Sequence, residues 1–216
     1  RGLGDVYKRQ AYSHLYLCIA GELAAVICIH DPLRREARDA VAALHACGIG
    51  KVVMMTGDNR QTAQAVAREV GVDAVYAEVL PEDKAAFIRS EKAAGRTVIM
   101  VGDGVNDSPA LSEADAGVAI STGAAIAREI ADITIASEDL FELVTLRRLS
   151  QALMARIHRN YRFIVGFNLS LILLGVAGLL PPTTSALLHN MSTLGISLKS
   201  MTDLGPELPS PTPAER

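Results

Sequence analysis

The sequence predicts an α/β fold, a parallel sheet with flanking helices, that runs on into a two-helix transmembrane hairpin. Three observations predict it. Short apolar runs alternate with amphipathic segments from residue 15 to about residue 145, the pattern of βα units. Two of those runs, ending in TGD at 56–58 and GDG at 102–104, stop on glycine and aspartate. Residues 163–180, FIVGFNLSLILLGVAGLL, then carry no charge at all.

The elements follow in order. LYLCIAGELAAVICIH, residues 15–30, reads as two short strands joined near Ala20-Gly21-Glu22. Asp31-Pro32 predicts a helix start, Asp as N-cap and Pro in the first turn, with the helix running to Gly48. KVVMMTGD is a strand. RQTAQAVAREVG is a helix with Ala63, Val66, Ala67 and Val70 on one face and Gly71 as its stop. AVYAEVL is a strand, and PEDKAAFIRSEKAAG a helix from Pro81 to Gly95. TVIMVGD is apolar almost throughout, as a strand covered on both faces would be. SPALSEAD, AGVAIS, GAAIAREIA and DITIAS continue the alternation, and EDLFELVTLRRLS opens a longer helix.

Length and composition set the frame. The 216 residues suffice for one domain and an appendage, and a net charge of −3 gives no argument for a nucleic-acid partner. Cys18, Cys28 and Cys47 form no CxxC pair and read as buried or half-buried thiols of a reducing compartment. Residues 1–14 begin with RGLGDVYKRQ, which lacks an apolar signal region and does not continue smoothly into the first strand, so they read as a junction or non-native segment.

Composition shifts at about residue 145. The linking helix 146–162 is basic, with Arg147, Arg148, Arg156, Arg159 and Arg162. The uncharged run after it is roughly 27 Å long as a helix, near the thickness of a bilayer core. Pro181-Pro182-Thr183-Thr184 marks a break, and SALLHNMSTLGISLKSM supplies the return leg of a hairpin over 163–202. A buried core helix is the alternative for the first leg. Arginines before the first span belong on the cytoplasmic side, which places the α/β part and the tail 203–216 there too. That tail is Pro-rich and acidic and reads as disordered.

The two glycine-aspartate ends carry the chemistry. Asp103 at a strand end, with Asp107 four residues on, can hold a hard cation such as Mg²⁺. Gly102 and Gly104 keep the backbone open to a close ligand, and Asn106 can donate an amide to a phosphoryl oxygen. Thr56, Gly57 and Asp58 precede a helix N-terminus, where backbone N–H groups attract anions. Lys84 alone would be a solvated surface charge; beside these motifs it reads as a phosphate-neutralising cation. Together they are the parts of a phosphoryl-transfer site.

MTGDN, the PEDK lysine and VGDGVNDSPAL resemble the phosphorylation domain of P-type cation-transporting ATPases, built on the haloacid-dehalogenase-like fold. The arginine-rich helix and hairpin resemble the heavy-metal-transporting branch. The resemblance runs from about residue 15 to residue 204. It implies an enzyme that hydrolyses ATP with Mg²⁺ and moves a heavy-metal cation across a cell membrane. It assigns Mg²⁺ to Asp103 with Asp107 in support, the phosphoryl group to Thr56 and Lys84, and the hinge region to Asp58. The family's nucleophilic aspartate lies in a DKTGT string, which is absent here, as are the nucleotide-binding and actuator domains. The chain therefore reads as a C-terminal fragment, inactive alone, whose partners are the bilayer, the transported cation and the N-terminal part of the pump.

Three polar residues mark a metal path. Asn168 follows Phe167 in the first span, a position similar to the Tyr-Asn pair of copper pumps. His189 and Thr193 in HNMST match His-Glu-Gly-Gly-Thr of cobalt-type relatives, with Asn190 in place of Glu. Imidazole suits Zn, Cu, Co and Ni over Mg or Ca. The competing readings are an interfacial His189 and a helix-packing Asn168. Two other functions stay open: a membrane-tethered phosphatase of the same fold, which needs a DxD nucleophile that the chain lacks, and a non-catalytic partner module.

Overall fold

The computed structural model describes residues 13–29, 33–102, 105–120, 129–136 and 139–204. The junction residues 1–12, Asp31-Pro32, Asp103-Gly104, most of the helix expected at 123–131 and the tail from 205 lie outside the described residues. The chain divides into two compact units, Arg1–Val144 and Thr145–Arg216.

In the first unit, β1 (Ser13–Ile19) and β2 (Glu22–Ile29) pair antiparallel through a turn at Ala20-Gly21, as the sequence predicts. Tyr16, Ile19 and Leu23 stand exposed on this hairpin, and so does Cys18, against the expectation of a buried thiol; Cys47 is buried. Among the described residues the hairpin pairs only with itself. Helix α1 (Ala37–Ala46) begins later than expected. Leu33 and Arg34 are not helical, and the Ala37 N–H bonds to the Arg34 carbonyl in a turn, so the helix opens on Glu36 without a side-chain cap.

The βα alternation then proceeds through β3 (Val53–Met55), α2 (Arg60–Val70), β4 (Ala74–Tyr76), α3 (Pro81–Ala93) and β5 (Ile99–Gly102). A 3₁₀ turn at Val105–Asp107, α4 (Ser108–Glu113), β6 (Ala116–Ile120) and β7 (Ile133–Ile135) complete it. Helix α2 is capped as its sequence dictates. The Asn59 side chain accepts the Thr62 N–H at 3.0 Å, Ala63 and Ala67 are buried, and Gly71 ends the helix in the left-handed region.

The parallel strands form two sheets: β3-β4, and β5-β6-β7. Each of β3 and β5 therefore pairs on one edge only among the described residues. The expectation that β5 is covered on both faces is not met. Ile99 is 46% and Val101 38% exposed, while Met100 and Gly102 between them are half-buried. Alternation puts Ile99 and Val101 on one face, which the described residues leave partly uncovered.

One device recurs at the start of the parallel strands. Asp73, just before β4, accepts the Val52 N–H ahead of β3 at 2.6 Å. Asp115, just before β6, accepts the Val98 N–H ahead of β5 at 2.8 Å. Asp132, just before β7, accepts the Gly117 N–H at 2.8 Å. Each carboxylate satisfies a backbone donor at a sheet end and fixes the register there. The bond from Val98, helped by Lys92 nearby, holds the Asp115 carboxyl below its ordinary range. With the strand starts pinned, the opposite ends are free to carry loops.

Helix α5 runs from Phe141 to Val176, about 54 Å at 1.5 Å per residue, all but its first four residues in the second unit. The Asp139 carboxylate caps it by accepting the Phe141 N–H at 2.9 Å. The predicted break at 181–184 falls earlier. The chain turns at 177–180, with Gly178 at φ +70, and α6 (Pro182–Ser200) takes Pro182 and both threonines into its first turn. Gly178 can hold that φ without a Cβ clash, and Pro182 at a helix start has no N–H to leave unpaired. The uncharged run is thus divided: helix to Val176, turn beyond it. Among the described residues no helix is long and apolar enough to cross a membrane.

Helices α5 and α6 are tied antiparallel by three polar links. Arg156 donates to the Thr202 and Asp203 carbonyls, Asn160 Nδ2 to Ser200 Oγ at 3.0 Å, and Asn168 meets His189 at 2.8 Å. Arg156 is 5% exposed, whereas Leu169, Ile172, Leu173, Val176, Leu187 and Leu198 are each more than half exposed.

Candidate active site

The site is built on loops that leave the carboxyl ends of β3 and β5. After β3 the chain turns at Thr56-Gly57-Asp58. Thr56 Oγ1 donates to Asp58 Oδ2 at 2.9 Å and accepts the Asp58 N–H at 3.1 Å, a closed local turn. The backbone ties this turn to the segment after β4. Thr56 N–H bonds to the Tyr76 carbonyl, Val79 N–H to the Thr56 carbonyl and Glu78 N–H to the Asp58 carbonyl, each at 3.0 Å. That is why the strand expected over 74–80 stops at Tyr76: residues 77–80 serve the TGD turn, and Glu78 takes φ +58 to do so. The same segment leads directly into α3, whose first turn carries Lys84. A position one turn inside the helix and the Tyr76–Phe87 ring contact, centroids 4.9 Å apart, fix where that lysine starts.

Lys84 reaches across to the loop after β5. Its Nζ lies 2.7 Å from Asp107 Oδ1, with the two side chains only 15% and 13% exposed. Asp107 is held from behind. A Cβ built on Gly102 would stand 2.8 Å from Asp107 Cβ and 2.8 Å from Oδ2, so only glycine lets the carboxylate lie against the end of β5. Gly102 thus makes room for Asp107, where the sequence reading reserved that room for a ligand. Asn106 is exposed on the same 3₁₀ turn. Below it, Ser108 Oγ is buried with no hydrogen-bond partner. Nothing in its sequence position marked it, since a serine before a proline reads as an ordinary helix start.

Of the residues predicted for the site, the structure joins Lys84 to Asp107, and Thr56 to Asp58 through Gly57. It links the two groups through the backbone of 76–81. Asp103 lies outside the described residues. Among the described residues there is no cluster of three or more His, Cys, Asp or Glu side chains that could hold a metal ion. The three residues expected on a metal path lie in the second unit: Asn168 Oδ1 to His189 Nδ1 at 2.8 Å, and Thr193 Oγ1 donating to the His189 carbonyl at 3.0 Å.

A parallel α/β unit whose strand ends carry a Thr-Gly-Asp turn and a lysine-paired aspartate is the architecture of haloacid-dehalogenase-like hydrolases. The model of that family, haloacid dehalogenase-like hydrolase, matches residues 2–115, just over half of the 216. The chain belongs to this family. Over a longer stretch it is similar to metal-transporting P-type ATPases. It is 46% identical to copper-transporting ATPase 2 of Rhizobium meliloti over 176 residues, which is 82% of this chain and 21% of that protein. It is 40% identical to the manganese-exporting P-type ATPase of Mycobacterium tuberculosis over 197 residues, 91% of this chain and 27% of that one. Among solved structures, a zinc-transporting PIB-type ATPase in its E2.Pi state superposes with a TM-score of 0.79 at 28% identity, covering 93% of this chain and 33% of that chain. The chain thus spans between a fifth and a third of the length of these relatives.

Proposed function

We propose that this chain supplies the phosphate- and Mg²⁺-binding side of the phosphorylation site, and part of the metal path, of an ATP-driven heavy-metal pump of the P-type. The observation that carries the reading is the Lys84–Asp107 pair, 2.7 Å apart and mostly buried at the end of β5. A lysine costs free energy to bury, and this one is anchored within reach of the strand ends where ligands of such sheets sit.

Each residue has a role in this reading. Asp107 sets the position of the Lys84 ammonium, and Lys84 neutralises a phosphoryl oxygen. Thr56, held by Asp58, offers its hydroxyl to the same group, and Gly57 lets the backbone approach it. Asn106, exposed on the turn, offers an amide donor. Mg²⁺ is held through one or two carboxylates, with phosphate and water oxygens completing its shell. In this reading Asp103 is the principal ligand, and Asp107, whose Oδ1 accepts from Lys84, is in support. Bound there, Mg²⁺ would supply neutralisation of charge on the transferred phosphoryl group.

The nucleophilic aspartate and the nucleotide-binding domain come, in this reading, from sequence outside these 216 residues. The chain alone neither forms an aspartyl phosphate nor transports. Among the described residues β3 and β5 each pair on one edge only, which supports this, because the other edge leaves a place for a further strand. Helices α5 and α6 form a hairpin in the bilayer, with the first unit and the C-terminus cytoplasmic. Its support is the set of exposed apolar side chains on both helices and a buried Arg156 that donates to the Thr202 and Asp203 carbonyls. Helix α5 runs unbroken out of the first unit and is the element that would couple phosphorylation to the metal path.

The test is phosphoenzyme formation from ATP in the intact pump. Asp103→Asn is expected to abolish the Mg²⁺-dependent phosphoenzyme. Normal phosphorylation of that variant would remove Asp103 from the site and the proposal with it.

A further inference from the structure

Thr56 and Lys84 come from different loops, and one stretch of backbone sets the distance between them. Glu78 and Val79 donate successive N–H groups to the same turn, to the Asp58 and Thr56 carbonyls, each at 3.0 Å. The torsions of Glu78 decide how those two N–H groups lie to one another. In extended backbone they would point to opposite sides; at φ +58 both face the turn. Leu80 follows in extended conformation and opens α3, its carbonyl accepting the Lys84 N–H at 3.2 Å. The route along the chain from the TGD turn to Lys84 thus passes through one left-handed residue.

Glutamate is an unfavourable choice for that conformation. A Cβ crowds the backbone carbonyl in the left-handed region, which is why glycine is usual there. Strain of this kind persists where the surroundings hold it, and it gathers at working sites. The Glu78 side chain is exposed, and the bonds that join its segment to the turn are backbone bonds. We propose that Glu78 is a positioning residue: its left-handed backbone, and not its carboxylate, fixes the offset between the Thr56 turn and the start of α3, and so sets the Thr56-to-Lys84 spacing across which a phosphoryl group is held. This rests on the pump reading given above.

The experiment measures phosphoenzyme formation from ATP in the intact pump, with the ATP concentration for half-maximal rate and the melting temperature of each variant. Glu78→Val puts a β-branched residue where φ is positive. It should slow phosphoenzyme formation about 100-fold, the order expected when a binding group is misplaced by about 1 Å. The half-maximal ATP concentration should stay the same, since the nucleotide-binding domain lies outside these residues. A merely structural defect would instead lower the melting temperature and leave the rate per folded molecule alone. Glu78→Gly keeps the backbone and drops the carboxylate; Glu78→Gln keeps the length and drops the charge. Both should form phosphoenzyme at the wild-type rate. Should valine prevent folding, these two still decide, because a slow Glu78→Gly or Glu78→Gln shows that the carboxylate itself acts and overturns the proposal. A wild-type rate in Glu78→Val overturns it too. Lys84→Met and Thr56→Ala report on the pump reading. If both are slow while Glu78→Val is normal, only the role of Glu78 falls. If both are normal, the phosphate site falls and the role of Glu78 with it.

Discussion

Removing one member of the Lys84–Asp107 pair should cost more than any surface charge change in this chain. At 2.7 Å and an effective dielectric constant of about 20, the two charges attract by about 6 kcal/mol before desolvation is counted. Desolvation of both ions offsets much of that. For fully buried pairs, deleting one partner costs about 3–5 kcal/mol, because the other charge stays behind unpaired. With 13–15% of each side chain still exposed, the stranded ion keeps some water, so about 2–4 kcal/mol is expected here for Lys84→Met or Asp107→Asn. The double variant strands no ion, so its cost should fall short of the sum by about 2 kcal/mol. Urea unfolding of the first unit, followed by near-ultraviolet circular dichroism in wild type, both single variants and the double variant, gives this coupling directly. A coupling below about 0.5 kcal/mol, the range of independent sites, would refute the claim that the pair organises the loop.

Further outcomes follow from the same geometry. Gly102→Ala places a methyl group 2.8 Å from the Asp107 carboxylate, and should destabilise the first unit by about 1–3 kcal/mol as an overpacking change; an unchanged melting temperature would contradict it. Asp115 has a folded pKa below its unfolded value, chiefly through the Val98 N–H and then through Lys92. Its contribution is therefore full above the ordinary carboxylate pKa and lost as pH falls through the lowered folded one. Asp115→Asn should flatten that part of the acid limb of the unfolding profile, and an identical limb would count against the strand pin. Arg156→Met removes the donor to the Thr202 and Asp203 carbonyls. It should raise amide exchange at the C-terminal end of α6 severalfold while leaving the first unit unaffected.

What was legible in the sequence depended on whether the deciding partner was near in the chain. The βα alternation from β3 to β6, the Gly71 stop, the hairpin at Ala20-Gly21 and Asp58 after β3 are local signals, and the described residues have them where they were read. Thr56 and Asp107 were legible as candidates because TGD and GDGVND are unusual combinations for a turn, and Lys84 because it lies between those two motifs. Their pairing was not, because Lys84 and Asp107 are 23 positions apart and nothing local matches them. The same holds for Asp73, Asp115 and Asp132. Each looks like any loop acid until the neighbouring strand brings its N–H. Helix α1 starts late because a turn bond from Ala37 to Arg34 wins over the Asp-Pro signal. The break between α5 and α6 falls at Gly178, where a left-handed residue ends a helix, and the prolines that drew attention instead begin the next one.

The most direct test of the central claim is a structure of the intact pump trapped with Mg²⁺ and a phosphate analogue such as aluminium fluoride. The account predicts Lys84 Nζ and Thr56 Oγ1 both within about 3 Å of the analogue, hydrogen-bond range, with Asp103 on the metal and Asp107 still holding the lysine. An analogue bound with Lys84 and Thr56 both out of reach would contradict it.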